Sequence, residues 1–384
     1  MPDRDRENWQ ELNNLHHLKW MQRCLELAQG ARGRTAPNPM VGCAIVKDGE
    51  LIGEGFHPAA GQPHAEVFAI AAAQSNRGID ATQGATLYVN LEPCNHFGRT
   101  PPCTEAIVKA GISHVVVGMV DPDPRVSGSG CDRLRQAGIS VTVGVAETAC
   151  QELNEAFIHR VTHQVPFGIL KYAMTLDGKI ATATGHSYWI TSEPARREVH
   201  YLRAGCDAIV TGGNTVRLDN PHLTTHGISE QSPLRVVMSR TLDLPIEANL
   251  WQVNDRQRTL VITQTDRDRQ VAECLRDRGV EVLVLPELSP QYVMSELGRR
   301  GCNAVLWECG GVLAASAIAS GSIQKVYAFI APKLIGGLDA PGPIASLGYT
   351  RMTQALNLER ISTSNIGDDL LVAGYVRQEI DIPS

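Results

Sequence analysis

One imidazole, two thiols and a carboxylate stand at spacings suited to hydrolytic chemistry: His64-Ala65-Glu66, then Pro93-Cys94, then Pro102-Cys103. Two thiolates and one imidazole hold Zn²⁺ tetrahedrally and leave the fourth position to water. Zinc held this way lowers the pKa of that water towards neutrality and makes hydroxide available as a nucleophile. Glu66, two residues from His64, reaches the same opening from the start of a helix without being a ligand. A carboxylate there can take the water proton and return it to a ring and a departing amine. A structural zinc uses similar ligands but usually fills four protein positions, and no obvious fourth ligand stands nearby. His57 and His96 are alternative ligands, although their flanking residues suit substrate contacts better.

The set is similar to the nucleoside-deaminase signature H-x-E…P-C-x-x-C, except that eight residues separate Cys94 from Cys103. Both cysteines still meet at the mouth of one helix if 95–102 loops outward and 104–109 is helical. Backbone N–H groups then lie near a thiolate.

The elements that must position these groups are readable from periodicity. Apolar residues at helical spacing predict a first helix over 20–28, after a polar, frayed stretch 1–16. A strand over 41–46, an Asp48-Gly49 turn and Leu51-Ile52-Gly53 predict a hairpin. Helices are expected over 65–73, 104–109, 130–137 and 150–161, and strands over 85–91, 114–120 and 141–143. This alternation predicts a three-layer α/β domain. Val165-Pro166 is the expected boundary, because proline disfavours helix in the residue before it. Strands are then expected over 167–173, 208–210, 234–238, 259–263, 280–285, 304–307, 325–330 and 370–376. No G-x-G-x-x-G follows the first of them, so the usual dinucleotide fingerprint is absent.

The chain's 384 residues suffice for two cores. The formal net charge of -6 offers no basic excess to neutralise phosphates, which argues against a nucleic-acid binder. Most of the ten cysteines sit singly in apolar surroundings, as small buried hydrophobes rather than disulfide partners. No apolar leader core and no membrane-length apolar run are present, so a cytoplasmic enzyme with no membrane partner is expected.

The run Leu91–Cys103 (LEPCNHFGRTPPC), with Pro37-Asn38-Pro39-Met40-Val41-Gly42 and Gly55-Phe56-His57, resembles the bifunctional riboflavin biosynthesis deaminase-reductase family. The resemblance continues through Lys171–Lys179, Ser187–Thr191, Gly213–Val216, Asp219–Thr224 and Glu308–Gly311. It implies a cytidine-deaminase-like three-layer domain over 18–163 and a dihydrofolate-reductase-like domain over 165–384. The implied activity is zinc-dependent deamination of a phosphorylated diaminopyrimidinone, followed by NADPH-dependent reduction of its ribosyl side chain to ribityl.

Carried over by motif, His64, Cys94 and Cys103 are zinc ligands and Glu66 is the proton carrier. Asn38, His57 and His96 are deaminase substrate contacts. In the second domain the resemblance implies substrate contacts at Lys171, Ser187, Arg203, Leu223 and Glu308. Cofactor contacts are implied at Ala173, Trp189, Thr215, Asp219, Gly310 and Gly311. Around Gly212-Gly213 and Gly310-Gly311 a cofactor can approach the backbone closely, since no β-carbon blocks it. The helical stretch after Gly310 can receive a phosphate at its N-terminus.

Two places depart from the family pattern. Ser239-Arg240 follows the strand 234–238 where the family often has aspartate, and no substrate-binding arginine stands at His226. Competing readings are a tRNA or nucleoside deaminase with an unrelated second domain, and a zinc-stabilised nucleotide-binding module. The expected partners are phosphorylated pyrimidines, and the expected assembly is a homodimer.

Overall fold

A computed structural model describes residues 3–97, 101–252, 254, 257–264 and 269–377, of which 3–14 are described as helical backbone only. Contacts divide the chain into two units, Met1–His163 and Gln164–Ser384. No helix among the described residues is long and apolar enough to cross a membrane.

The first unit runs α1 (Asp3–Gln29), β1 (Gly42–Lys47), β2 (Glu50–Phe56), α2 (Ala65–Arg77), β3 (Thr86–Leu91) and α3 (Cys103–Lys109). It continues through β4 (His114–Met119), α4 (Ser129–Gln136), β5 (Ser140–Val143), α5 (Glu147–Leu153) and α6 (Glu155–His163). Its sheet has the order β2-β1-β3-β4-β5, antiparallel in the first two pairings and parallel in the others. Period-two alternation sends Cys43, Ile45, Leu87, Val89, Val115 and Val117 to one face, against Ala69, Ile107 and Leu134. Ala44, Val46, Tyr88 and Val116 face the other way, against Trp20, Met21, Cys24 and Cys150. The result is the three-layer arrangement expected from the pattern.

At the β1–β2 turn Asp48 and Gly49 have φ of 52° and 81°, the paired left-handed conformations of a tight hairpin. Gly53 of β2 lets α2 lie directly on the strand. A β-carbon there would fall 2.4 Å from the Ala69 carbonyl oxygen and 2.6 Å from the Ala73 nitrogen. Gly53→Ala is therefore expected to destabilise the first unit by about 1–3 kcal/mol, the usual cost of overpacking. An unchanged melting temperature would contradict this contact.

Two helices differ from expectation. α1 starts at Asp3 rather than Trp20, because the Arg, Glu, Gln and Leu of that stretch are good helix formers. The single helix expected over 150–161 is instead α5 and α6, broken at the buried Asn154. The Asn154 amide accepts from the Met40 N–H at 2.8 Å and donates to the Met40 carbonyl at 3.0 Å. That pairing needs the side chain turned inward, away from helical periodicity.

The second unit contains β6 (Phe167–Thr175), α7 (Glu193–Ala204), β7 (Ala208–Gly212), α8 (Gly213–Asp219), β8 (Leu234–Met238), β9 (Thr259–Thr263) and α9 (Arg269–Asp277). It ends with β10 (Glu281–Val284), α10 (Pro290–Arg299), β11 (Ala304–Trp307), α11 (Gly311–Ala319), β12 (Lys325–Ala331), β13 (Leu358–Ile366) and β14 (Asp369–Val376). The sheet order is β10-β9-β8-β7-β11-β6-β12-β14-β13. Every pairing from β10 to β12 is parallel, and the last two are antiparallel. From β7 the chain moves outward to β10, then returns to place β11 between β7 and β6. β7 and β11 therefore flank a topological switch point, where open α/β sheets bind ligands at the strands' carboxyl ends. α8 and α11 both start there.

β13 was not expected from the sequence. It is an edge strand exposed along most of its length, with a polar run that shows no alternation. Pairing with β14, rather than its own pattern, makes it a strand.

Candidate functional site

In the first unit, β3 delivers Cys94, the start of α2 delivers His64 and Glu66, and the start of α3 delivers Cys103. His64 Nδ1 lies 3.2 Å from Cys103 Sγ and 3.5 Å from Cys94 Sγ. One ligand atom from each of the three residues lies within 4.8 Å of the others, which suits one ion at zinc–ligand distances of about 2.0–2.3 Å. The Cys103 backbone N–H donates to Cys94 Sγ at 3.3 Å, so the wide cysteine spacing closes at the mouth of one helix. Part of the connecting loop, 98–100, lies outside the described residues.

The Cys94 thiol is pushed well below the ordinary thiol range, first by its hydrogen bond with the Cys103 thiol, with His64 and the Cys103 N–H adding to it. The proton that remains on Cys103 must leave when both sulfurs ligate a cation. The His64 ring is pushed up, chiefly by its hydrogen bond to Cys94. Glu66 is buried, and burial followed by the Cys94 charge raises its carboxyl above the ordinary range. Its Oε2 is buried without a hydrogen-bond partner among the described residues. An acceptor that cannot be satisfied by protein is what a water held beside a metal would use.

His57 is fully enclosed, its rings' nitrogens both engaged: Nε2 pairs with Asn38 Nδ2 and Nδ1 with the Pro63 carbonyl, each at 3.0 Å. With both nitrogens so used it does not join the ligand cluster, although its ring lies edge-on to His64, centroids 5.4 Å apart. His96 is exposed and shares its surroundings with Asp121 and Asp123. Sequence reasoning missed the pair that holds Asn38's segment. Asn90 accepts from the Gly42 N–H at 2.8 Å and donates to the Met40 carbonyl at 3.0 Å, beside the matching contacts of Asn154. Two buried asparagines in unrelated elements give no local signal.

In the second unit the switch point opens a cleft of about 730 Å³ that brings together Ser187, Thr215, Asp219, Gly310 and Gly311. Gly310 faces open space where a β-carbon would stand. Ser239 and Arg240, the departure after β8, line the same cleft. Asp219 accepts from the Ser187 hydroxyl at 3.4 Å, and burial raises its carboxyl. Ala173, Trp189 and Leu223 do not line this cleft. Trp189 is exposed with the Arg196 guanidinium 4.4 Å from its ring centroid, and Leu223 is buried.

Lys171, Arg203 and Glu308 form a separate, largely buried cluster. Arg203 grips Glu308 with two N–H groups at 2.6 and 3.0 Å, Lys171 Nζ donates to it at 3.4 Å, and Arg203 also donates to the Thr224 carbonyl at 3.0 Å. Burial alone would raise the Glu308 carboxyl, but the charges of Arg203 and Lys171 win and hold it at about 2. Beside Arg203 the His200 and His226 rings stack, centroids 4.2 Å apart. Burial, then Arg203, pushes His200 down to about 4.

This cluster has a stability signature. Because Glu308 is depressed from the ordinary 4.5 to about 2, its contribution is complete above pH 4.5 and fades as the pH falls towards 2. Arg203→Ala removes the main opposing charge, so Glu308 rises and that dependence flattens. At neutral pH the variant is expected to lose about 3–5 kcal/mol, as when one partner of a buried pair is removed. Urea unfolding at a series of pH values measures both effects, and a parent-like acid limb would contradict them.

Comparison with known proteins agrees with both halves. Residues 15–119 match the family model described as the cytidine and deoxycytidylate deaminase zinc-binding region, and residues 166–372 match the RibD C-terminal domain. The riboflavin biosynthesis protein RibD of Synechocystis sp. is 62% identical over 356 residues, covering 93% of this chain and 95% of that protein. The structure of Acinetobacter baumannii RibD is similar with a TM-score of 0.84 at 37% identity, covering 95% of this chain and 100% of that one. A Thermotoga maritima structure titled as a diaminohydroxyphosphoribosylaminopyrimidine deaminase/5-amino-6-(5-phosphoribosylamino)uracil reductase gives 0.84 at 35% identity, with the same coverages. Zinc and NADPH are the cofactors of that deaminase–reductase pairing, and the His64, Cys94 and Cys103 cluster provides the donor set that zinc requires. The chain belongs to the RibD family of bifunctional riboflavin-biosynthesis enzymes.

Proposed function

We propose that the first unit hydrolytically deaminates 2,5-diamino-6-ribosylamino-4(3H)-pyrimidinone 5′-phosphate. The second unit then reduces the ribosyl group of 5-amino-6-ribosylaminouracil 5′-phosphate to ribityl with NADPH. The observation that carries the reading is the buried Glu66 oxygen, without a hydrogen-bond partner among the described residues, beside three side chains able to hold one metal ion.

His64, Cys94 and Cys103 would hold the zinc, which supplies the Lewis acidity that makes a water nucleophilic near neutral pH. Glu66 would take one proton from the water and give it to the ring nitrogen, then carry the second, from the added hydroxyl, to the amino group that leaves as ammonia. Its raised pKa suits both transfers. Asn38, held in place by the enclosed His57, presents a fixed polar edge to the pyrimidine, and His96 contacts it from the exposed side.

NADPH supplies the hydride. Thr215, Asp219, Gly310 and Gly311 would hold the cofactor in the cleft at the switch point, and Ala173 and Trp189 would meet only a part of it that extends beyond that cleft. Ser187, Leu223 and the Lys171, Arg203 and Glu308 cluster orient the ribosyl phosphate. Glu308 holds Arg203 and Lys171 still, so cations meet the substrate without rearrangement. The net charge of -6 argues against a nucleic-acid partner. A cytoplasmic homodimer is the proposed state, and sedimentation equilibrium giving only monomer would remove the dimer.

The direct test supplies the diaminopyrimidinone with and without NADPH. Ammonia release without NADPH, and cofactor oxidation only after it, are expected. Ammonia release from cytidine or tRNA adenosine in preference to this substrate would overturn the reading.

A further inference from the structure

Between β3 and the zinc ligand Cys94 stands a buried carboxylate to which the proposed chemistry gives no role. Glu92 is 6% exposed. Its own N–H continues the β3–β4 ladder by donating to the Met119 carbonyl at 2.9 Å. Its side chain turns back and accepts four backbone N–H groups. One oxygen takes Asp121 and Gly128, both at 2.9 Å; the other takes Gly130 at 2.8 Å and Cys131 at 3.1 Å.

Those donors belong to the segment that follows β4 and to the first turn of α4. Gly128, which precedes that helix, offers no side-chain cap. Glu92 therefore caps α4 from another part of the chain, satisfying N–H groups that a helix start leaves open. Among the described residues no cation pairs with the carboxylate; four N–H groups compensate it instead.

The fit is close. A β-carbon on Gly130 would fall 2.1 Å from the Pro93 carbonyl oxygen, so the α4 start rests on the residue just before Cys94. On the far side of Cys94, Asn95 Nδ2 donates to the Ser129 carbonyl at 3.2 Å. Asn95 Oδ1 accepts from the hydroxyl of Thr104, the neighbour of Cys103, at 3.1 Å. The residues on both sides of one thiolate are thus fastened to α4, and that fastening extends to the other thiolate.

We infer that Glu92 is a positioning residue of the deaminase, acting through the backbone of Pro93 and Cys94 to fix the two thiolates at the separation a single ion needs. The inference rests on the zinc-deaminase reading. Groups that orient metal ligands commonly cost ~10- to 100-fold in metal affinity or activity when removed. Glu92 would do so by holding the ligand's main chain rather than by touching the ligand itself.

The test uses the full chain. Glu92→Gln keeps the side chain's size but turns one acceptor into an N–H₂ that meets N–H donors. Zinc is expected to bind but to pass to a competing chelator ~10- to 100-fold more readily, and deaminase kcat/KM is expected to fall over the same range. In the cobalt-substituted protein the thiolate-to-metal absorption should shift. Reduction of the pre-deaminated intermediate should continue at the parent's rate. A Glu92→Gln protein that only melts earlier, with parent-like chelator competition, cobalt spectrum and deamination, overturns the inference. If that variant fails to fold, Asn95→Ala loosens the same thiolates from the other side, and the same readouts decide. Failure of the parent to take up zinc would instead strike the underlying reading, and the inference with it.

Discussion

Cys103→Ser is expected to lose most of its zinc and nearly all deaminase activity. A serine hydroxyl is a poor replacement for a thiolate in a site of one imidazole and two sulfurs. Loss of metal need not unfold the second unit, because its core draws on residues from Leu170 onward and contains none of the ligands. Reduction of the pre-deaminated intermediate should therefore survive. Metal analysis showing full, tightly held zinc in the variant would remove Cys103 from the ligand set.

How much of this was legible in the sequence differs between the two units for physical reasons. The proposed zinc ligands lie at the ends of elements with strong periodicity, so β1, β3, β4 and the helices α2 and α3 could be drawn with the site at their edges. The eight residues between the cysteines obscured only how they meet, and that is settled by the Cys103 N–H at the helix start. What stayed hidden were inward-facing polar side chains: Asn90 and Asn154 clamping Met40, and Glu92 capping α4 across the fold. Each pairs with backbone far away in sequence, and no local pattern records such a pairing.

In the second unit Gly212-Gly213 and Gly310-Gly311 read as places where a cofactor can approach the backbone, but no local pattern shows that they meet; the topology brings them together by placing β7 and β11 side by side. The reductase residues that the resemblance implies do not all meet there, and Ala173, Trp189 and Leu223 stand outside the cleft. Ser187, Thr215, Asp219, Gly310 and Gly311 line the cleft, while Lys171, Arg203 and Glu308 form a buried ionic cluster. β13 escaped notice because an exposed edge strand carries no hydrophobic alternation to read.

Deamination and reduction are expected to proceed at separate sites in a fixed order, and paired variants test this most sharply. His64, Glu66, Cys94 and Cys103 all belong to the first unit, whereas Lys171, Asp219 and Glu308 all belong to the second. Glu66→Gln keeps the side chain's size and leaves the three ligands untouched, so zinc should remain bound. Without the carboxylate, deamination should fall by ~100-fold or more, the lower part of the range for losing a general acid–base group. The same protein should still reduce the pre-deaminated intermediate with NADPH. Asp219→Ala should show the reverse: ammonia release continues, but little cofactor is oxidised, because a half-buried carboxylate lining the proposed cofactor cleft is gone. Neither variant alone converts the diaminopyrimidinone to the ribityl product. Mixed in solution, the two should restore the full sequence, since the first product can leave one molecule and enter another. A lag that shortens as protein concentration rises would mark that diffusive step. If Glu66→Gln, folded and with zinc retained, also failed to reduce the supplied intermediate, the two activities would not be separable, and each unit's site would need the other to work.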